Sequence, residues 1–293
     1  MTLAFTVLTI VAPVFLLASI GFAWVQLGHD YDTAFVSRLA MNLAVPCLVF
    51  VALAQGDIDA GAAGRLTLAT LSTYAALFLV FWALCRVMSL DLRTFWAPLV
   101  FGNTGNLGLP LALFAFGETG LGYAVVVFSV TAILQFTIGV WAVAGGGNPL
   151  RALREPMVAA TLLGALVLWQ GWTVPEVAMN ALGLVGQMGI PLMLLTLGVA
   201  VARMQPTGIA RMSLLSVAKI VICAGLGLAV GLYFGLDDTT LGVLVVQLAT
   251  PVAVSSYLLA VRYGAEASPV AGLVVVSTAM SVVALPLILA AFV

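Results

Sequence analysis

The sequence predicts an all-α integral membrane protein that crosses the bilayer ten times, as two five-helix halves of opposite orientation. Three observations predict this: an extreme apolar composition, a regular sorting of charge between loops, and proline and glycine positions that repeat from one half to the other.

Of the 293 residues, 63% are hydrophobic and only 7% are charged. A soluble domain is about 45–50% apolar and roughly 25% charged, so this chain lacks the polar residues to cover a water-facing surface. The net charge of −1 supplies no basic field for nucleic acid. Cys47, Cys85 and Cys223 stand apart in apolar stretches as small hydrophobes. With His29 as the single histidine there is no HExxH and no histidine metal cage, and no metal or other cofactor is expected.

A hydrocarbon core about 30 Å thick takes about 20 helical residues to cross. Continuously apolar runs of that length favour helices over the alternating strands of a barrel. The first run, 3–27, lacks the basic start of a secretory signal and continues past Ala23, as a retained helix does. The second, 34–54, lies between Asp30-Tyr31-Asp32 and Asp57; the third, 65–87, closes on Arg86. The fourth, 94–116, follows Arg93 and stops at Gly117, and the fifth, 120–143, stops at Gly145-Gly146-Gly147. The sixth, 155–173, precedes Pro175-Glu176, and the seventh, 178–202, ends at Arg203. The eighth, 209–235, is followed by Asp237-Asp238, and 239–262 and 268–292 complete the set.

Numbered in order, the odd loops and their flanks hold Arg38, Arg86, Arg93, Arg151, Arg154, Arg203, Arg211 and Arg262, whereas the even loops hold Arg65 alone. The even loops are acidic, with Asp57, Asp59, Glu118, Glu176, Asp237 and Asp238. The positive-inside rule therefore puts the odd loops in the cytoplasm and both termini outside.

The stretch Gly145-Gly146-Gly147-Asn148-Pro149 divides the chain into a first repeat (1–144), a cytoplasmic linker (145–154) and a second repeat (155–293). Pro13 and Gly21 match Pro156 and Gly164 at an offset of 143; Asn42 and Pro46 match Gln187 and Pro191 at 145; Phe116-Gly117 matches Tyr263-Gly264 at 147. Five helices per half is an odd number, so the second half is inverted relative to the first, the design of secondary transporters.

Two matching helices are interrupted. The fourth contains Gly102-Asn103-Thr104-Gly105-Asn106-Leu107-Gly108-Leu109-Pro110, and the ninth contains Gln247-Leu248-Ala249-Thr250-Pro251-Val252-Ala253-Val254-Ser255-Ser256-Tyr257. Proline removes a helical hydrogen bond, glycines loosen the backbone, and Asn, Thr, Ser and Gln offer partners to the freed groups. Paired interruptions point to a binding site whose half-helix N-termini suit an anion. The first segment lacks the lysine and preceding strand of a nucleotide loop.

The motif Asn103–Pro110, with Thr250-Pro251, Ser256-Tyr257, Tyr263-Gly264 and the five-plus-five plan, resembles the auxin efflux carrier family, within the bile acid:sodium symporter-like superfamily, over the whole chain. The resemblance implies an elevator-type transporter of organic anions in which helices four and nine cross at the substrate site. It also implies a scaffold of helices 1, 2, 6 and 7, often dimeric, with helices 3–5 and 8–10 as the moving part. The short central loop is similar to that of bacterial members, which implies a bacterial plasma membrane and a carboxylate other than auxin.

On this reading Asn103, Thr104, Asn106, Pro110, Thr250, Pro251, Ser255 and Tyr257 form the substrate site, with Asn42 and Gln187, each four residues before a proline, on the scaffold side. Lys219 lies about ten residues into the eighth helix, and a charge at such depth is a functional candidate. Every Asp and Glu maps to a loop or helix end, so the substrate's carboxylate is the expected counter-charge, while snorkelling or capping of freed carbonyls is the structural alternative. The same absence leaves no carboxylate relay for protons. Gln247, Ser129 and Thr131 are the neutral oxygens available to a coupling ion, and proton coupling, sodium coupling and uniport stay open. The competing functions are a sodium-coupled bile acid symporter-like carrier, a passive channel, and an intramembrane hydrolase built on a Ser216/Lys219 dyad at i, i+3.

Overall fold

Backbone N–H and C=O groups in hydrocarbon must find partners within the chain, and every long apolar run meets that demand as helix. The computed structural model describes residues 3–55, 59–146, 156–204 and 208–292. Among them the one β-type pairing is an isolated antiparallel bridge between Gly102 and Val252. Asp57, Arg151, Arg154 and most of the predicted linker lie outside the described residues.

Helix α1 (Leu3–Gln26) is followed by α2 (Thr33–Leu39), whose first turn is capped by the Asp32 carboxylate accepting from Phe35 N at 2.9 Å. A π-helical turn, Ala40–Ala44, leads into α3 (Val45–Gln55). Pro46 has no N–H to give to the carbonyl of Asn42, and the widened turn absorbs that missing bond. Helix α4 (Ala60–Val87) starts at the Asp59 cap, which accepts from Ala62 N at 2.6 Å, five residues before the predicted start. Then come α5 (Leu92–Val100), a π-helical turn Thr104–Gly108, α6 (Leu109–Leu134), a π-helical turn Gln135–Gly139 and α7 (Val140–Ala144). The second half holds α8 (Pro156–Gln170), α9 (Glu176–Gln187), α10 (Gly189–Arg203), α11 (Ile209–Tyr233), α12 (Asp238–Ala249), α13 (Val254–Tyr263) and α14 (Ala267–Leu289).

Among the described residues seven helical stretches are long and apolar enough to cross a membrane: Thr9–Gln26, Thr33–Ala54, Ala60–Val87, Thr104–Ala144, Glu176–Arg203, Ile209–Tyr233 and Ala267–Leu289. The chain is an all-helical integral membrane protein. The run Thr104–Ala144 has 41 residues. At 1.5 Å per residue that is about twice the hydrocarbon thickness, too long for one crossing. It is divided at Gly117, where φ of 68° and ψ of −161° leave the helical region, a conformation open to a residue without Cβ. Conversely α12 and α13, of 12 and 10 residues, are each too short to span alone.

Packing separates two sets of helices. Helix α1 lies on α10 and α3 lies on α8 and α9, whereas α11 packs on α12 and α14, and α4 on α5 and α6. At the α1–α10 contact the backbones nearly touch: a Cβ at Gly21 would collide with the carbonyl oxygen of Leu195, and one at Gly198 with that of Ala18. Gly164 of α8 makes the corresponding approach to α3, where a Cβ would lie 3.0 Å from Leu53 Cβ and 3.4 Å from Phe50 Cα.

The Asp237 cap carries a testable charge. Burial works against its ionised form, but Thr240 N, Thr240 Oγ1 and Thr239 N donate to the carboxylate at 3.1, 2.9 and 3.1 Å and together hold its pKa below the usual 3.8. A depressed pKa stabilises the folded state above the unfolded value, and that contribution is lost as pH falls through the folded one. Asp237→Asn keeps a capping oxygen and is expected to flatten the loss of thermal stability below about pH 4, whereas Asp237→Ala should cost about 1 kcal/mol at neutral pH. Identical acid profiles for wild type and Asp237→Asn would remove the charge from this account.

Candidate functional site

Both interrupted helices come apart at the same place. Pro251 restricts the residue before it to extended backbone, and Thr250 accordingly has φ of −55° and ψ of 149°. Helix α12 therefore stops at Ala249, and α5 stops at Val100, with Phe101 extended at φ −95° and ψ 122°. The two extended linkers pair antiparallel across the molecule: Asn103 N donates to Pro251 O at 2.7 Å, and Ala253 N to Phe101 O at 3.4 Å. Val252 N is taken by Ser277 Oγ of α14 at 3.0 Å. Thr250 Oγ1 donates to Gln247 O at 2.6 Å, and Lys219 Nζ of α11 donates to Thr250 O at 2.9 Å. Gly102 has to be glycine at this crossing, because a Cβ there would collide with Thr250 Oγ1. Phe101 is anchored from α4, its ring stacked on Tyr74 with centroids 5.6 Å apart.

On one side of the crossing lies a cavity of 520 Å³. Its inner wall is Gly102–Asn106 and Ala253–Ser255; the rest comes from α2 and the following turn, α6, the Gln135 turn, α10 and the end of α13. Two helix N-termini face it, at Asn103 and at Ala253, and neither has a side-chain cap. Their free N–H groups and positive dipole ends form a place for negative charge. Asn103 is 5% exposed, and its Nδ2 has no hydrogen-bond partner. The charged residues in the lining are Arg203 and Arg262, with no carboxylate among them. Arg203 is held by Thr33 Oγ1 at 2.6 Å and Tyr31 O at 2.8 Å, and the Arg262 guanidinium lies over the Tyr263 ring, 5.6 Å from its centroid.

Of the predicted substrate residues, Asn103, Thr104, Asn106, Ser255 and Tyr257 line this cavity together. Thr250, Pro251, Pro110 and Lys219 are buried and do not line it: the first two build the crossing, Pro110 follows the turn that opens the second half of the broken helix, and Lys219 braces Thr250 from behind. Asn42 is exposed outside the cavity, and Gln187 belongs to a second cavity of 910 Å³ with Glu118 and Asn180. The two cavities occupy opposite ends of the same helical runs, the first touching 33–41 and 193–204, the second 48–52 and 179–191. The ion-coupling candidates do not converge: Ser129 Oγ meets Thr161 Oγ1 at 3.1 Å, Thr131 Oγ1 meets Tyr74 OH at 2.8 Å, and Gln247 Nε2 reaches Ala124 O at 3.4 Å. Arg203, Arg262 and Gln135, which donates to Ser255 Oγ at 2.9 Å, were not predicted as site residues. The two arginines carried a signal, since each ends a helix that also contributes a wall of the cavity.

The Ser216/Lys219 dyad is not formed. Lys219 Nζ is committed to Thr250 O, and Ser216 Oγ is buried without a partner.

Comparison with known proteins points to transport. The sequence model of the family described as "Membrane transport protein" matches residues 6–150 and 146–289. A protein of Methanothermobacter thermautotrophicus, strain Delta H, described as "Uncharacterized transporter", is 26% identical, the alignment covering 94% of this chain and 95% of that protein.

Proposed function

Since the chain belongs to the membrane transport protein family, that of the auxin efflux carriers, and is a transporter and not an enzyme, we propose that it carries a small organic anion, a carboxylate, across the membrane by alternating access. The observation that carries this reading is the cavity at the crossing, which combines two uncapped helix N-termini, an unpartnered Asn103 amide and two arginines with no carboxylate.

Counted at the breaks, the chain makes ten crossings: α5 with the turn and α6 up to Gly117 is the fourth, the remainder of α6 through α7 the fifth, and α12 with α13 the ninth. An inverted repeat is supported by the packing. Gly21 and Gly164, matched at an offset of 143, each press on the second crossing of the other half, at Leu195 and at Phe50 to Leu53. The family match also divides between Gly146 and Leu150, at the boundary between the halves. Helices α1 to α3 and α8 to α10 are then the scaffold and the place of a homodimer contact, and the others the moving part of an elevator. With the arginine-rich loops in the cytoplasm, the cavity opens inward between Thr33, Arg203 and Arg262, and both termini lie outside.

The test is thermal stability of the purified protein against a panel of carboxylates and their neutral amides. A ligand at about 100 times its dissociation constant stabilises by roughly 2.7 kcal/mol. One class of carboxylate is expected to raise the unfolding midpoint, less so in Arg203→Gln and Arg262→Gln, and the amides are expected to do nothing. Equal stabilisation by amides, or by neither group, would overturn the anion reading.

A further inference from the structure

Lys219 is the feature that an anion cavity leaves unexplained. Its side chain is fully buried, it makes one hydrogen bond among the described residues, to Thr250 O at 2.9 Å, and no carboxylate pairs with it. It does not line the cavity. Its position is informative: a Cβ placed on Gly102 would lie 3.5 Å from Nζ, so the ammonium sits behind both breaks at once. The carbonyl it engages belongs to Thr250, the extended residue that ends α12 ahead of Pro251 and whose carbonyl has no helical partner. One turn earlier on α11, Ser216 Oγ is buried and has no partner. Buried carbonyl and hydroxyl oxygens at a half-helix C-terminus are what a hard monovalent cation takes as ligands, and unwound carbonyls of this kind coordinate the coupling ion in inverted-repeat carriers.

We infer that the Lys219 ammonium is a tethered cation filling an internal cation site beneath the helix crossing, so that the crossing is held together without a cation taken from solution. A tethered charge stays through the transport cycle, so neither the fold nor the carrier step requires sodium. Lys219 is a positioning residue: it holds Thr250 and, through it, the extended pairing that aims Asn103 and the two helix N-termini at the cavity. Removing the side chain leaves a space of ammonium and methylene size beside Thr250 O, and that space accepts a free monovalent cation.

The experiment uses the full-length protein, as wild type, Lys219→Ala and Lys219→Met. Unfolding midpoints are read in sodium, potassium, methylammonium and choline chlorides at equal ionic strength, without carboxylate. Wild type is expected to unfold at one temperature in all four. Lys219→Ala is expected to unfold earlier in choline and to recover by about 3 °C or more in methylammonium or sodium. Lys219→Met fills the space without charge, so it is expected to be destabilised and unresponsive to salt. The inference is overturned if Lys219→Ala gives the same midpoint in every salt, if Lys219→Met matches wild type, or if sodium stabilises wild type itself, a result that needs no variant to fold. Because no carboxylate is present, failure here is separate from failure of the anion reading.

Discussion

Asn103→Ala is expected to reduce substrate uptake tenfold or more while leaving the unfolding midpoint unchanged or higher. The two halves of that expectation come from different atoms of one residue. The backbone of Asn103 is structural: its N–H pairs with Pro251 O at 2.7 Å, and its carbonyl accepts from Leu107 N and Gly108 N at 3.1 and 3.2 Å. Alanine keeps all three bonds. The side chain is 5% exposed, with Nδ2 unpartnered. A buried, unsatisfied amide costs about 1–3 kcal/mol, so the empty protein gains from its removal. The loaded protein loses, because a hydrogen bond to a charged group contributes about 1.5–3 kcal/mol, tenfold or more in affinity at room temperature. Uptake into proteoliposomes and thermal unfolding of the same preparation test both at once. Uptake within twofold of wild type would take Asn103 out of the substrate site; a large fall in stability would make it a structural residue instead.

Much of this architecture was legible in the chain because the membrane simplifies the code. The length of an apolar run needs no tertiary information, and a proline in such a run declares a missing hydrogen bond wherever it stands. Asn42, Asn106 and Gln187, each four residues before a proline, are the positions whose carbonyls lose an α-helical partner, and two of them fall in π-helical turns while the third ends α9. What could not be read was register between elements distant in sequence. Nothing in the chain says that Gly102 faces Val252, or that Arg203 and Arg262 share a cavity wall 59 positions apart. Lys219 shows the limit well. Its depth marked it as unusual, and the absence of buried acid suggested a substrate carboxylate as partner, with capping of a carbonyl at the ninth-helix break as the alternative; the structure gives it the backbone carbonyl of Thr250 at that break. Which carbonyl it meets depends on how α11 packs against the end of α12, and no local pattern in the chain states that. Gln247, Ser129 and Thr131 are similar, since residue type suggested ion ligands while their partners lie on different helices.

Gly102→Ala is expected to damage both stability and uptake. Its Cβ collides with Thr250 Oγ1 and lies 3.1 Å from Thr250 O and 3.5 Å from Lys219 Nζ, so it presses on the atoms that join α11, α12 and the extended linker. None of these can swing aside: Thr250 Oγ1 is bonded to Gln247 O, and Thr250 O is held by the lysine. Overpacking of this kind costs about 1–3 kcal/mol. Here it also spreads the antiparallel pairing that orients both helix N-termini, so uptake should be lost along with stability. The added methyl and the Thr250 side chain compete for one space, which makes the two positions interact. In a Thr250→Ala background the same glycine substitution should cost less, with a coupling of about 0.5–3 kcal/mol in a double-mutant cycle. Gly105→Ala separates this from a general intolerance of the motif to side chains. Its Cβ would meet Phe128 Cε2 at 2.9 Å, the edge of a ring that borders open cavity and can move. Gly105→Ala is therefore expected to be milder in stability than Gly102→Ala. Equal costs at the two glycines, or additivity between Gly102 and Thr250, would mean that the crossing is not the rigid contact described here.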